Sequence, residues 1–140
     1  MTEVTSLLDV NLDDSVEFTT LPDNSEARLE IVRAEFAESK SDTPAEYNLV
    51  LVLASDRDDV DDIWTWTPVP NAAWRDVDKK QYIKAVNRFK EVTTCFGILM
   101  PCELDNVVGS TGWCLMGEEE DDRNPGKMRN FIRRYNQPAS

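Results

Sequence analysis

Tyr47–Ala54 reads Tyr-Asn-Leu-Val-Leu-Val-Leu-Ala, and this run constrains the fold more than any other stretch of the chain. Its length and its valines favour a strand over a buried helix. Successive strand residues point to opposite faces, so a strand that is apolar at nearly every position must be covered on both. The chain therefore needs a sheet in which residues 47–54 are central.

The flanking sequence supplies partners. Residues 27–36 alternate, with Leu29 and Ile31 on one side and Arg28, Glu30 and Val32 on the other. Residues 63–69 form a third strand, with Trp64 and Trp66 on one face, Ile63, Thr65 and Thr67 on the other, and Pro68 and Pro70 ending it. The period then changes. Over residues 76–96, Tyr82, Val86, Phe89, Thr93 and Phe96 recur every three or four positions, and Ile83 and Val92 widen the stripe. That pattern predicts an amphipathic helix, with Asp76 and Asp78 in its first turn and Gly97 ending it. A short second helix is expected over 101–108. Residues 113–116 read as strand four, 117–126 as a hairpin loop and 127–135 as strand five. The domain so defined spans 25–136, with a flexible acidic arm over 1–24 and a polar tail over 137–140.

Three strands, a helix and two strands is the element order of an OB barrel. The expected fold is mainly β (α+β by content): a five-stranded OB-like barrel with a helical insert between strands three and four.

Composition narrows the chemistry. At 140 residues the chain makes about one domain. No apolar run approaches the ~20 residues of a membrane span, and the N-terminus lacks the basic start and apolar block of a signal peptide. A cytoplasmic protein is the expectation. There is no histidine, and the three cysteines, Cys95, Cys102 and Cys114, form no CxxC pair. Histidine-dependent nucleophilic catalysis and zinc sites of ordinary spacing are thereby disfavoured, and three buried reduced thiols are expected. Residues 56–62 hold five aspartates but lack a glycine at the sixth position of a calcium loop and a glutamate at the twelfth, which is Thr67. They read as a plain acidic turn.

Charge is uneven. The net is −12, yet residues 1–70 carry 17 acids against 4 bases while residues 71–140 carry 10 against 11. Arg75, Lys79, Lys80, Lys84, Arg88 and Lys90 cluster over residues 75–90, and those on the helix, Lys79, Lys80, Lys84, Arg88 and Lys90, read most simply as a solvated face. Residues 123–140 hold five cations and no acid. Strict alternation in the last strand places Arg129, Phe131, Arg133 and Tyr135 on one face. Guanidinium groups interleaved with rings can neutralise phosphates and stack on unpaired bases; the structural alternative puts Phe131 inside and pairs the arginines with aspartates.

Leu21-Pro22 entering residues 27–36, Ser39-Lys40-Ser41 in the first loop, Trp64-Thr65-Trp66, the helix over 81–96 and Met128-Arg-Asn-Phe-Ile-Arg134 together resemble the phage-encoded single-stranded-DNA-binding proteins with an OB fold. The likeness covers roughly residues 20–136. It implies a strand-binding face on strands two and three, hence Tyr47, Trp64, Trp66 and Lys40. Many single-strand binders keep their acidity in a C-terminal tail, whereas this chain ends Asn-Gln-Pro-Ala-Ser. Trp64 and Trp66 are either stacking platforms or core residues beneath the helix; Trp74 and Trp113 read as packing residues.

The resulting expectation is a non-enzymatic, sequence-tolerant binder of single-stranded DNA, without cofactors, acting in phage replication or recombination beside proteins of those processes. Bases would stack on Trp64, Trp66, Phe131 and Tyr135, with phosphates on Lys40, Lys127, Arg129 and Arg133. The rival is an acidic interaction protein, a DNA mimic or assembly factor, motivated by the carboxylate-rich first half.

Overall fold

The computed structural model describes residues 8–40 and 44–138. Five strands, β1 (Glu26–Glu38), β2 (Tyr47–Ala54), β3 (Ile63–Pro68), β4 (Thr111–Glu120) and β5 (Met128–Tyr135), form one antiparallel sheet in the order β3-β2-β1-β4-β5. Two helices, α1 (Ala72–Val77) and α2 (Lys79–Cys95), lie between β3 and β4. As the unbroken apolar run requires, β2 is flanked by β1 and β3 and is buried from Leu49 through Leu53.

The thirteen-residue β1 organises the sheet. Its first residues, Glu26–Glu30, pair with β4, and from Glu30 onward it pairs with β2. Within the β1–β2 ladder Val32 is an extra residue: Ile31 faces Leu53 and Arg33 faces Val52. Such a bulge bends a strand and reverses its alternation beyond the insertion.

One sheet face carries the core. Leu29 and Ile31 of β1, Leu49, Leu51 and Leu53 of β2, Ile63 of β3 and Met116 of β4 pack with Val92 and Phe96. Each such side chain contributes roughly 1.5–3 kcal/mol through burial. Gly112 lets the end of α2 rest on β4, since a Cβ there would lie 2.6 Å from the Cys95 carbonyl oxygen.

The expected single helix over 76–96 is two. Asn71 caps α1, its Oδ1 accepting from the Trp74 N–H at 2.8 Å, and Asp78 caps α2 by accepting from the Gln81 N–H at 3.2 Å. Asp78 is thus a cap and not a first-turn residue. The helix expected over 101–108 shrinks to a 3-10 turn, Leu104–Asn106. Strand four is longer than its apolar stretch because Glu118, Glu119 and Glu120 continue the ladder against β5.

The sheet is open, not the closed barrel expected. β3 and β5 are its edges and no ladder joins them. β3 has six residues and ends at Pro68, which offers no N–H. The edges approach instead through side chains, the Tyr135 hydroxyl lying beside that of Thr65.

The acidic arm is fastened from Thr19 onward. The Thr19 N–H donates to the Asp59 carbonyl at 2.7 Å, and the Thr20 hydroxyl donates to Glu118. The Asn130 side chain grips both backbone groups of Leu21, accepting from its N–H at 2.8 Å and donating to its carbonyl at 2.9 Å. Leu21 itself is buried. Cys95 and Cys114 are buried free thiols, but Cys102 is exposed, because it lies in the surface stretch Leu99–Glu103, between the core-packed Ile98 and Leu104. Among the described residues, no helix is long and apolar enough to cross a membrane.

Candidate functional site

Ile63 and Thr67 of β3 point into the core, so the alternate residues Trp64 and Trp66 face solvent. They are 46% and 58% exposed, and their rings stack with centroids 6.2 Å apart at 27°. Directly across the ladder, Val52 lies opposite Trp64 and Val50 opposite Trp66. These valines share the solvent-side face yet are only 3% and 2% exposed. Longer side chains flank them: Trp64 and Arg33 beside Val52, Trp66 and Glu35 beside Val50. The core placement open to these tryptophans from sequence does not occur. The indoles instead wall a short apolar floor on the outside of the sheet.

Arg33 completes this cluster. Its guanidinium sits 5.5 Å from the Trp64 ring centroid and pairs with Glu35 at 3.0 Å. Unbroken alternation through β1 would have turned Arg33 inward with Leu29 and Ile31. The Val32 bulge turns it out.

A second bulge rearranges β5. Leu115 pairs with Arg134 but Met116 pairs with Ile132, leaving Arg133 as the extra residue. Alternation holds from Met128 to Ile132 and is reset beyond it. The four-residue face expected from sequence is therefore broken. Arg129 and Phe131 stay outside, while Tyr135 joins Cys114 on the core side and is 4% exposed. Its ring meets Phe96 edge-on at 6.1 Å and carries the Arg88 guanidinium at 4.9 Å. Burial pushes the Tyr135 hydroxyl up to about 12. A tyrosine so placed cannot stack on a base from solvent.

The arginines of β5 already hold carboxylates. Arg129 pairs with Glu119 at 2.8 Å and Arg133 with Asp23 at 2.7 Å. The Arg133 guanidinium also lies 5.2 Å from the centroid of Phe131, whose ring covers the bare backbone of Gly117. The hydrogen bond from Arg133, with a second from the Glu118 N–H, holds the Asp23 carboxyl below the usual carboxylate range. Water screens exposed pairs of this kind, so a phosphate can compete for either arginine.

Three expected residues lie apart. Tyr47 shares the parity of Leu49 and Leu51, on the opposite face from Trp64 and Trp66, and is exposed where β2 begins. Lys40 is exposed just past β1, beside residues 41–43, which lie outside the described set. Lys127 is exposed in the β4–β5 turn. Because β4 passes the start of β1 while Lys40 follows its end, the two lysines sit beyond opposite ends of that strand.

Trp113 was expected to pack and is 53% exposed, facing solvent because its neighbours Gly112 and Cys114 point inward. Arg28 lies directly across the ladder from it. Trp74, by contrast, is buried with Ala45 and Ala85 as expected. The alternation of β4 could have flagged Trp113 as outward, whereas nothing local marks the bulge that exposes Arg33. Among the described residues, no group of three or more His, Cys, Asp or Glu is placed to hold a metal ion.

Comparison with protein families finds no matching family model, and comparison with curated proteins finds no matching sequence.

Proposed function

We propose that this chain binds single-stranded DNA without sequence preference, protecting exposed strand in the cytoplasm during phage replication or recombination. The observation that carries the reading is the solvent-facing Trp64–Trp66 pair with Arg33 beside it. Every base has a π-face, so adjacent indoles with a cation at their margin suit sequence-tolerant stacking. Arg129 and Arg133, with Phe131 between them, supply phosphate contacts at the far edge, and Lys40 and Lys127 contribute from the loops.

The finer fold assignment belongs to the same proposal. Strand order β3-β2-β1-β4-β5, a long bulged first strand shared by two ladders and helices between β3 and β4 support an OB-like arrangement parted at the β3–β5 seam.

Titration with labelled oligothymidines at low salt is the test. Binding that weakens steeply as salt is added supports the reading, since phosphate contacts release counterions. Absence of any binding at low salt removes it.

One observation favours the rival reading of an acidic interaction protein: Arg33, Arg129 and Arg133 are each neutralised by a neighbouring carboxylate. If oligonucleotide fails to bind while a nuclease-resistant complex with a nucleic-acid-binding protein forms, the carboxylate surface is the functional one.

A further inference from the structure

Three tryptophans break the surface on one side of the sheet, and the reading above uses two. Among the described residues, neither a second ring nor a cation covers Trp113, whereas Trp64 has both. Its indole face is open to a planar ligand. Arg28 stands directly across the β1–β4 ladder, where opposed residues hold their Cβ atoms about 4.5–5.5 Å apart.

Arg28 also differs from Arg33, Arg129 and Arg133, each of which holds a carboxylate. It donates to the Thr111 hydroxyl at 3.0 Å and, like Arg134 opposite Leu115, makes no ion pair among the described residues. Its charge is available without displacing a carboxylate. Beside it, Arg28, Val32, Ala54 and Thr111 line a shallow depression of about 250 Å³, with Glu30 and Asp56 on the lining as well. The Val32 bulge of the β1–β2 ladder forms part of this hollow.

We propose that Trp113 and Arg28 form a second nucleotide subsite for single-stranded DNA. One base lies on the indole and its phosphate on the guanidinium, so the strand crosses the sheet from β3 to β4. This rests on the reading of Trp64 and Trp66 as the first platform. An uncovered ring beside an unpaired cation matches the repeating base and phosphate of one nucleotide. Glu30 and Asp56 repel phosphate, which keeps the backbone on the Arg28 side. Three strand spacings separate β3 from β4, and about four residues separate the Arg33 row from the Arg28 row. The two platforms are therefore on the order of 20 Å apart, a span of several nucleotides.

The experiment is anisotropy with labelled oligothymidines of increasing length, on wild type, Trp113→Ala, Trp113→Phe and Arg28→Gln, each checked for folding by thermal unfolding. Short oligomers are expected to bind wild type and Trp113→Ala alike. Beyond the length that reaches both platforms, wild type gains affinity and Trp113→Ala does not, leaving a deficit of about tenfold. Trp113→Phe recovers most of it, and Arg28→Gln lowers the salt slope by about one. Equal affinity of Trp113→Ala and wild type at every length overturns this subsite and leaves the Trp64–Trp66 reading standing. Wild type that binds no oligomer overturns both. If Trp113→Ala converts a dimer to a monomer in sedimentation without altering DNA affinity, the face belongs to a second copy and the subsite is overturned. Should Trp113→Ala fail to fold, wild-type length dependence and salt slope in Arg28→Gln overturn it.

Discussion

Replacing Trp64 or Trp66 with alanine has two consequences of calculable size. The first is lost binding. Base–aromatic stacking is worth about 1–3 kcal/mol per base, so each single variant should weaken oligothymidine binding by roughly 5- to 150-fold. The second is lost stability, although both residues are exposed. Val50 and Val52 are almost fully covered on the solvent-side face, and the indoles form one wall of that cover. Full burial of a valine is worth roughly 1.5–3 kcal/mol, so uncovering part of one costs about 1 kcal/mol. Loss of the ring–ring contact adds about 0.5–1.5 kcal/mol. Each alanine variant should then lose about 1.5–2.5 kcal/mol in urea unfolding, more than ordinary surface truncation. Phenylalanine at either site should retain most of both terms. Anisotropy of labelled oligonucleotide avoids relying on the deleted fluorophore. Folded variants that bind within twofold of wild type would refute the stacking argument; unchanged stability would refute the sheltering argument independently.

Three further outcomes are expected. Tyr135 in the folded protein holds its proton to about 12 while an unfolded tyrosine loses it near 10. Between those values the unfolded chain binds fewer protons, so stability should fall by up to about 3 kcal/mol as pH rises from 10 to 12, and Tyr135→Phe should flatten that decline in alkaline urea titrations. Glu119→Gln removes the carboxylate partner of Arg129 and should tighten oligothymidine binding a few-fold at low salt, with a steeper salt dependence; weaker binding would count against Arg129 as a phosphate contact. Gly112→Ala places a Cβ 2.6 Å from a carbonyl of α2 that cannot rotate away, and should cost about 1–3 kcal/mol in thermal or urea unfolding.

Much of the fold was legible in the chain. Tyr47–Ala54 matches its strand to the residue, because an apolar run of that length has few other places to go. The outward placement of Trp64 and Trp66 follows from simple alternation against Ile63 and Thr67, though which face is covered is decided by where the helices dock. Sequence reasoning failed at the bulges. One extra residue at Val32 turns Arg33 toward Trp64, and one at Arg133 buries Tyr135. A bulge is a property of two paired strands, so neither strand's own periodicity announces it. The helix break is a different case: Asn71 and Asp78 are good capping residues in plain sight, but the apolar stripe starts only at Tyr82, and six-residue α1 is too short to show a period of its own.

Because β3 and β5 meet through the Thr65 and Tyr135 side chains and not through a ladder, the molecule has a seam. Rotating one margin against the other sacrifices no interstrand backbone bond. The curvature of the surface bearing the tryptophans therefore rests on the two bulges and on α2, which packs against β3 and β5 alike, and not on a closing row of backbone bonds.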